Sequence, residues 1–253
     1  MRVAILSDIH ANAEALEAVL ADAQAHATEH YLSLGDTIGF NGDPAACMNK
    51  VAGLFVAAVR GNHEQALLHR GLFGVTLYTT MMDRTTAMLT AEHIAFIRAR
   101  PMHAEWNGIT LVHASPATPE EWKRLSSIPA ARTAFEHFNG QLCFYGHTHR
   151  AAIFKQDTEN GNIAIIPAVY QQNGSCTIEL EPGCRYLINP GSVGQPRDFD
   201  WRAAYALLDT EAQTITLRRL EYDVESAAAK ISNTGLPDSY AAALRKGITP
   251  TGD

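Results

Sequence analysis

Two carboxylates, one carboxamide and five imidazoles recur in short fragments along the first 149 residues. The fragments are Asp8-Ile9-His10, Gly35-Asp36, Gly61-Asn62-His63-Glu64, His113 directly after Ile109-Thr110-Leu111-Val112, and Gly146-His147-Thr148-His149. Donors of these types come close to the full ligand set for two adjacent metal ions, with one histidine to spare. Two ions about 3.5–4 Å apart clamp the attacking and the leaving oxygen of an in-line displacement at phosphorus. The residues therefore point to a metal-dependent phosphoester hydrolase.

The elements that must position these groups are legible from periodicity. Each donor falls where an extended run meets a turn, and ligands of open α/β sheets bind beyond the carboxyl ends of strands. Residues i and i+2 of an extended segment project the same way. Asp8 can thus act with His10, and His147 with His149. Strands are expected at 3–6, 31–34 and 54–59, alternating with helices at 13–20 (capped by Asn12), from Pro44 to near Lys50, and from Glu64 onward. Such alternation argues for a parallel or mixed sheet covered by helices. Two helices follow at 80–89 and 91–99, the second capped by Thr90. Short strands near 102–105, 109–112, 142–145, 151–154, 163–167, 186–188, 204–209 and 214–217 read as a second, largely antiparallel sheet. Helices at 224–231 and 238–244 close the chain. No repeat or low-complexity linker divides it, so residues 1–253 read as one domain, with the C-terminal helices (223–247) appended to it.

Composition narrows the function classes. With 253 residues, 46% of them hydrophobic, the chain can fill a large α/β core. Its formal charge of -7 argues against a nucleic-acid binder, whose affinity comes mostly from Lys and Arg neutralising phosphates. Bound cations would reverse the local field, so phosphate substrates are not excluded. Cys47, Cys143, Cys176 and Cys184 form no C-x-x-C pair, and Cys143 reads as a buried small hydrophobe. The first strand leaves no room for a leader, and no apolar run approaches the ~18 residues of a membrane helix. A cytoplasmic protein with reduced thiols is expected.

The five fragments, in their order, resemble the calcineurin-like metallophosphoesterase superfamily. Asn189-Pro190-Gly191-Ser192-Val193-Gly194-Gln195-Pro196-Arg197 resembles a segment common in its small bacterial members. The resemblance implies a four-layer α/β/β/α sandwich, two mixed sheets packed face to face between helices. It implies that Asp8, His10 and His149 hold one ion and that Asn62, His113 and His147 hold the other. Asp36 would bridge them, which suits a carboxylate with its two oxygens. Nitrogen and oxygen donors without thiolate favour Mn²⁺, Fe or Zn²⁺ as the two divalent or trivalent ions. A hydroxide between the ions would be the nucleophile. His63, not needed as a ligand, would give a proton to the leaving group or stabilise the transition state, a role worth typically ~10²–10⁴-fold.

One departure stands out. Many relatives place an Asp three residues after the bridging Asp to orient the catalytic histidine; here that position is Gly39. Phe40 and Asn41 follow instead of an Arg, which disfavours a phosphoprotein substrate. Asp43 and Glu64 are the substitute orienters to consider. Asn62, His63 and Arg197 are the candidate substrate-binding residues; His69-Arg70 follows the Glu64 helix and could reach substrate, though nothing in the sequence requires it. Asn189 to Ser192 could line the site mouth or form a structural turn. Residues 114–122 form either a lid carrying Trp122 or an ordered loop. Val224, Ala227, Ala228 and Ile231 share a helical face, read as packing onto the domain ahead of a homodimer contact; the oligomeric state stays open. The expected partner is a small-molecule phosphoester. The rival readings are a metal-dependent nuclease and a non-catalytic metal- or phosphate-binding regulatory protein, the latter favoured by Gly39.

Overall fold

In β1 (Arg2–Leu6), Val3 and Ile5 face one side and Ala4 and Leu6 the other, and all four are buried. An apolar run covered on both faces belongs at the centre of a sheet. In the computed structural model, which describes residues 1–69, 77–234 and 236–250, β1 is such a strand.

The first sheet runs β3 (Phe55–Ala58), β2 (His30–Ser33), β1, β11 (Ala203–Asp209), β12 (Thr214–Leu220), β9 (Ser175–Glu179). The second runs β4 (His103–Trp106), β5 (Ile109–Val112), β6 (Leu142–Phe144), β10 (Cys184–Asn189), β7 (Ala152–Asp157), β8 (Ile163–Ile166). Strands β1, β2 and β3 are mutually parallel, as are β5, β6 and β10; the other pairings are antiparallel. Ile5 lies between Leu32 and Ala206 in register.

The sheets meet through Val3, Ile5, Leu32 and Leu34 on one side and Leu111, Phe144, Ile153 and Ile188 on the other. Outside the first sheet lies α1 (Ala13–Ala25), with Leu16 and Val19 against Leu6 and Tyr205. Outside the second lies α6 (Ile128–Phe135), with Ala131 and Phe135 against Cys143 and Leu187. Each such aliphatic or aromatic side chain contributes roughly 1.5–3 kcal/mol by leaving water. This is the expected α/β/β/α order. Asn12 caps α1 through the Ala15 amide, and Thr90 caps α5 (Ala91–Ala99) through that of His93, as their types predict.

Two expectations need correction. The late strands do not make a separate antiparallel sheet. β11 and β12 extend the first sheet beside β1, while β10 joins the second in parallel with β6. β11 carries Ala206 and Leu208 into the inter-sheet core and Ala203, Tyr205 and Leu207 towards α1, so it too is a central strand. Strand β9 and helix α6 were also absent from the sequence reading. The signals for α6 were present, since Ser127 caps it through Ala130 and Pro129 lies in its first turn.

A third cluster gathers α2 (Pro44–Val51), α3 (Asn62–Leu68), α4 (Leu77–Ala87), α5, α7 (Val224–Asn233) and α8 (Asp238–Lys246) around Phe40. Ala227, Ala228 and Ile231 are buried in it, so that face of α7 is consumed within the chain. Among the described residues no helix is long and apolar enough to cross a membrane. The four cysteines are free thiols, and Cys143 is buried.

Candidate metal centre

The donors converge because parallel strands of both sheets end at one edge. Asp8 and His10 follow β1, Asp36 follows β2, and Asn62 and His63 open α3 after β3. His113 follows β5, and His147 and His149 follow β6. The backbone turns sharply to aim them. Asp8, His10, Asp36, His147 and His149 all have positive φ, between 48° and 65°. Non-glycine residues in this region each cost on the order of 1 kcal/mol or more and cluster at functional sites.

Three of the imidazoles are fixed by a carbonyl behind them. His10 Nδ1 lies 3.1 Å from Ile38 O, His113 Nδ1 2.8 Å from Leu34 O, and His149 Nδ1 2.6 Å from Gln195 O. Only a protonated Nδ1 can donate to a carbonyl, so each neutral ring presents a bare Nε2 inward. On one side, His10 Nε2 and His149 Nε2 stand 3.1 Å apart, and Asp8 Oδ1 is 3.2 Å from His149 Nε2. On the other, Asn62 Oδ1 lies 3.0 Å from His113 Nε2 and 2.9 Å from His147 Nδ1.

Asp36 lies between the two groups. Its Oδ2 is 3.3 Å from His113 Nε2, 3.7 Å from His10 Nε2 and 4.0 Å from His63 Nε2. Its Oδ1 accepts the His63 amide at 2.9 Å, so Oδ2 is the oxygen turned to both sides. Gly61 allows this approach, because a Cβ there would stand 2.6 Å from Asp36 Cγ. Glu64 fixes the same turn. Its carboxylate accepts the amides of Asp36 and Gly61 at 2.8 Å and of Thr37 at 2.6 Å. It is therefore the anchor of the Asp36 loop and does not orient His63. Asp43 is engaged elsewhere, with Lys230 at 2.5 Å.

His63 is held by packing. Its ring centroid lies 4.5 Å from that of Phe40 and 4.6 Å from that of His10. Gly39, at φ +91°, runs directly behind it: a Cβ there would stand 3.2 Å from His63 Cε1 and Cγ, and closer still to Nδ1. The space that an orienting aspartate would need is filled by the imidazole itself.

The electrostatics follow from lone pairs crowded out of water. Burial raises the carboxyls of Asp8 and Asp36, but the surrounding histidines outweigh it and hold both below the usual carboxylate range. Burial lowers His113, but the Asp36 and Asp8 charges and the Leu34 carbonyl raise it to about 10. His147 falls to about 4 through burial and the His113 charge, and His149 to about 3 through burial and Arg197. Burial likewise lowers His63, against the pull of Asp36.

This donor set fits metal cations. Imidazole nitrogens and carboxylate oxygens crowd together out of water, and Asp8 Oδ1 accepts no hydrogen bond among the described residues. Uncompensated buried acceptors are costly unless a cation satisfies them. Asp8, His10 and His149, and likewise Asp8, Asp36 and His113, present ligand atoms within 4.8 Å of one another. His10, Asp36 and His63 do so as well. All seven expected ligands and His63 are thus brought together.

A cleft of about 450 Å³ opens over the cluster. Asp36, Asn62, His63, His147, His149 and Arg197 line it, as does Phe40. Arg197 is buried, donates to Gln195 Oε1 at 2.8 Å and lies 5.3 Å over the Phe40 ring. Arg124, Ser126, Arg150 and Thr249 also face the cleft and were missed; no local pattern marks single exposed side chains of this kind. Arg70 lies outside the described residues. Asn189 to Ser192 proves to be a buttress rather than a mouth. Asn189 Nδ2 donates to Gly146 O at 2.7 Å, Ser192 Oγ to Asp8 O at 2.7 Å, and the Gly194 amide to Asp8 O at 3.0 Å. Trp122 packs edge-on to His113, with ring centroids 5.8 Å apart.

Comparison with known proteins agrees with this picture. Residues 1–213 match the calcineurin-like phosphoesterase superfamily domain. An uncharacterized protein of Methanocaldococcus jannaschii, MJ0912, is 33% identical over 242 residues, 93% of this chain and 94% of that protein. The crystal structure of a metallophosphoesterase from Sphaerobacter thermophilus superposes with a TM-score of 0.85 at 35% identity, covering 98% of this chain and 100% of that one. The hypothetical protein PH1004 from Pyrococcus horikoshii OT3 shares the fold, with a TM-score of 0.73 at 18% identity over 97% of this chain and 98% of its own.

Proposed function

Because the chain belongs to the calcineurin-like phosphoesterase superfamily, we propose that it hydrolyses a small-molecule phosphoester with two metal ions seated about Asp36. The observation that carries this reading is the set of imidazole nitrogens and carboxylate oxygens turned inward, with three of the imidazoles held from behind by a backbone carbonyl.

In this reading Asp8, His10 and His149 would hold one ion and Asn62, His113 and His147 the other, with Asp36 shared between them. Mn²⁺, Fe or Zn²⁺ suit these donors. Bound there, the ions supply Lewis-acid polarisation of the phosphoryl oxygens and a water of lowered pKa. The protein supplies the rest. The carbonyls of Ile38, Leu34 and Gln195 set the ring orientation of three ligands and direct their Nε2 atoms inward. His63 holds its imidazole at the cleft wall beside Asp36, within reach of a leaving-group or transition-state oxygen. Phe40 and His10 restrict its ring from two sides. Arg197, on the same cleft, offers its guanidinium to a phosphate oxygen. A cleft of about 450 Å³ suits a small ester.

The test is turnover of bis-p-nitrophenyl phosphate by protein reconstituted with Mn²⁺. Chelation and Asp36→Asn should each abolish p-nitrophenol release, and undiminished release from the variant contradicts the reading.

A further inference from the structure

One phosphoryl group at the cation cluster accounts for Asp36, His63 and their neighbours, but not for two arginines that line the same cleft. Arg124 comes two residues after Trp122, which packs on His113, and Arg150 directly follows His149. Both line the cleft, as do the hydroxyl-bearing Ser126 and Thr148. Neither guanidinium makes an ion pair or hydrogen bond among the described residues. Other cations of this acidic chain do find carboxylates, as Arg2 with Asp209, Lys155 with Glu181, Arg202 with Asp200 and Arg245 with Glu225. Carboxylates outnumber cations 27 to 20, yet none of them pairs with either cleft arginine among the described residues. The charge of Arg124 already acts on His147, which places it within electrostatic reach of the cluster.

We infer that Arg124 and Arg150 form a second anion subsite, and that the substrate carries a second phosphate beside the one attacked. This rests on the phosphoesterase reading above. Planar guanidinium forks bind phosphate oxygens in pairs, and two of them lining one cleft supply the donors that a tetrahedral dianion needs. The cation cluster takes the scissile phosphoryl. The arginines take the next one, linked through an ester, as in a nucleoside 3′,5′-bisphosphate, or through an anhydride, as in a dinucleoside polyphosphate.

The experiment compares KM for thymidine 5′-(p-nitrophenyl phosphate) with KM for the same ester carrying a 3′-phosphate. The leaving group is identical, so only the second phosphate differs. A parallel arm measures KM for a dinucleoside tetraphosphate. In the wild type a second phosphate should lower KM by about tenfold or more on at least one arm. The paired substitution Arg124→Gln with Arg150→Gln should reduce that advantage to about threefold or less, and Arg124→Lys with Arg150→Lys should retain part of it. Which arm responds identifies the linkage. Equal KM with and without the second phosphate on both arms, or an advantage that survives the Gln pair, overturns the subsite. Absence of turnover even of the one-phosphate ester would instead strike the phosphoesterase reading.

Discussion

Gly39 and His63 compete for one volume. A Cβ on Gly39, whose φ is +91°, would stand 3.2 Å from two ring atoms of His63 and nearer still to Nδ1. The position where many relatives carry an orienting aspartate is thus closed to any side chain. Restoring that aspartate should therefore harm the enzyme. Gly39→Asp should lower kcat on a phosphodiester by ~10–100-fold, since displacing a positioned donor forfeits much of its contribution. Metal content should stay at the wild-type level, because no expected ligand has changed. Wild-type kcat in this variant would contradict a His63 positioned by packing.

Glu64 ties the Asp36 turn to the start of α3 by accepting three amides, those of Asp36, Thr37 and Gly61. Glu64→Ala leaves all three buried donors without that acceptor, at about 1–3 kcal/mol each when water cannot replace it. Thermal melting should show a total loss of roughly 3 kcal/mol or more, with weaker metal retention as the turn loosens. Glu64→Gln keeps one acceptor oxygen and should fall between. An alanine variant that melts like the wild type would remove Glu64 from this role.

His113 makes the metal-free protein sensitive to alkali. Its folded pKa of about 10 exceeds the ordinary 6.5. A raised pKa stabilises the fold fully below about 6.5, and that contribution is lost as pH rises towards 10. The melting temperature of chelated protein should decline across this window, and His113→Asn should flatten the decline. Metal-loaded protein should not follow it, because a bound ion takes the place of the proton. A metal-free melting temperature that rises between pH 7 and 10 would contradict the placement of His113 beside Asp36.

Much of the site was legible because its donors follow strands that announce themselves. The apolar run 109–112 located His113, and i, i+2 spacing paired Asp8 with His10 and His147 with His149. What could not be read was non-local. That β11 lies beside β1, or that β10 runs parallel to β6, depends on pairings across about 40 to 200 residues that no window of sequence encodes. The supporting shell was hidden for the same reason. Glu64 is a candidate orienter by sequence, but its three amide partners give it another role. Only hydrogen bonds across the fold decide between a mouth and a structural turn for Asn189 to Ser192, which hold up Gly146 and Asp8. Arg124 and Arg150 carry no periodic signal at all.

The central claim is that cations gather around Asp36. Crystals of protein reconstituted with Mn²⁺, with anomalous diffraction collected at the metal edge, test it directly. Two peaks about 3.5–4 Å apart are expected. One should lie among Asp8, His10 and His149, the other among Asn62, His113 and His147, with Asp36 contacting both. Peaks elsewhere on the chain, or a fully reconstituted crystal with none beside Asp36, would contradict the account.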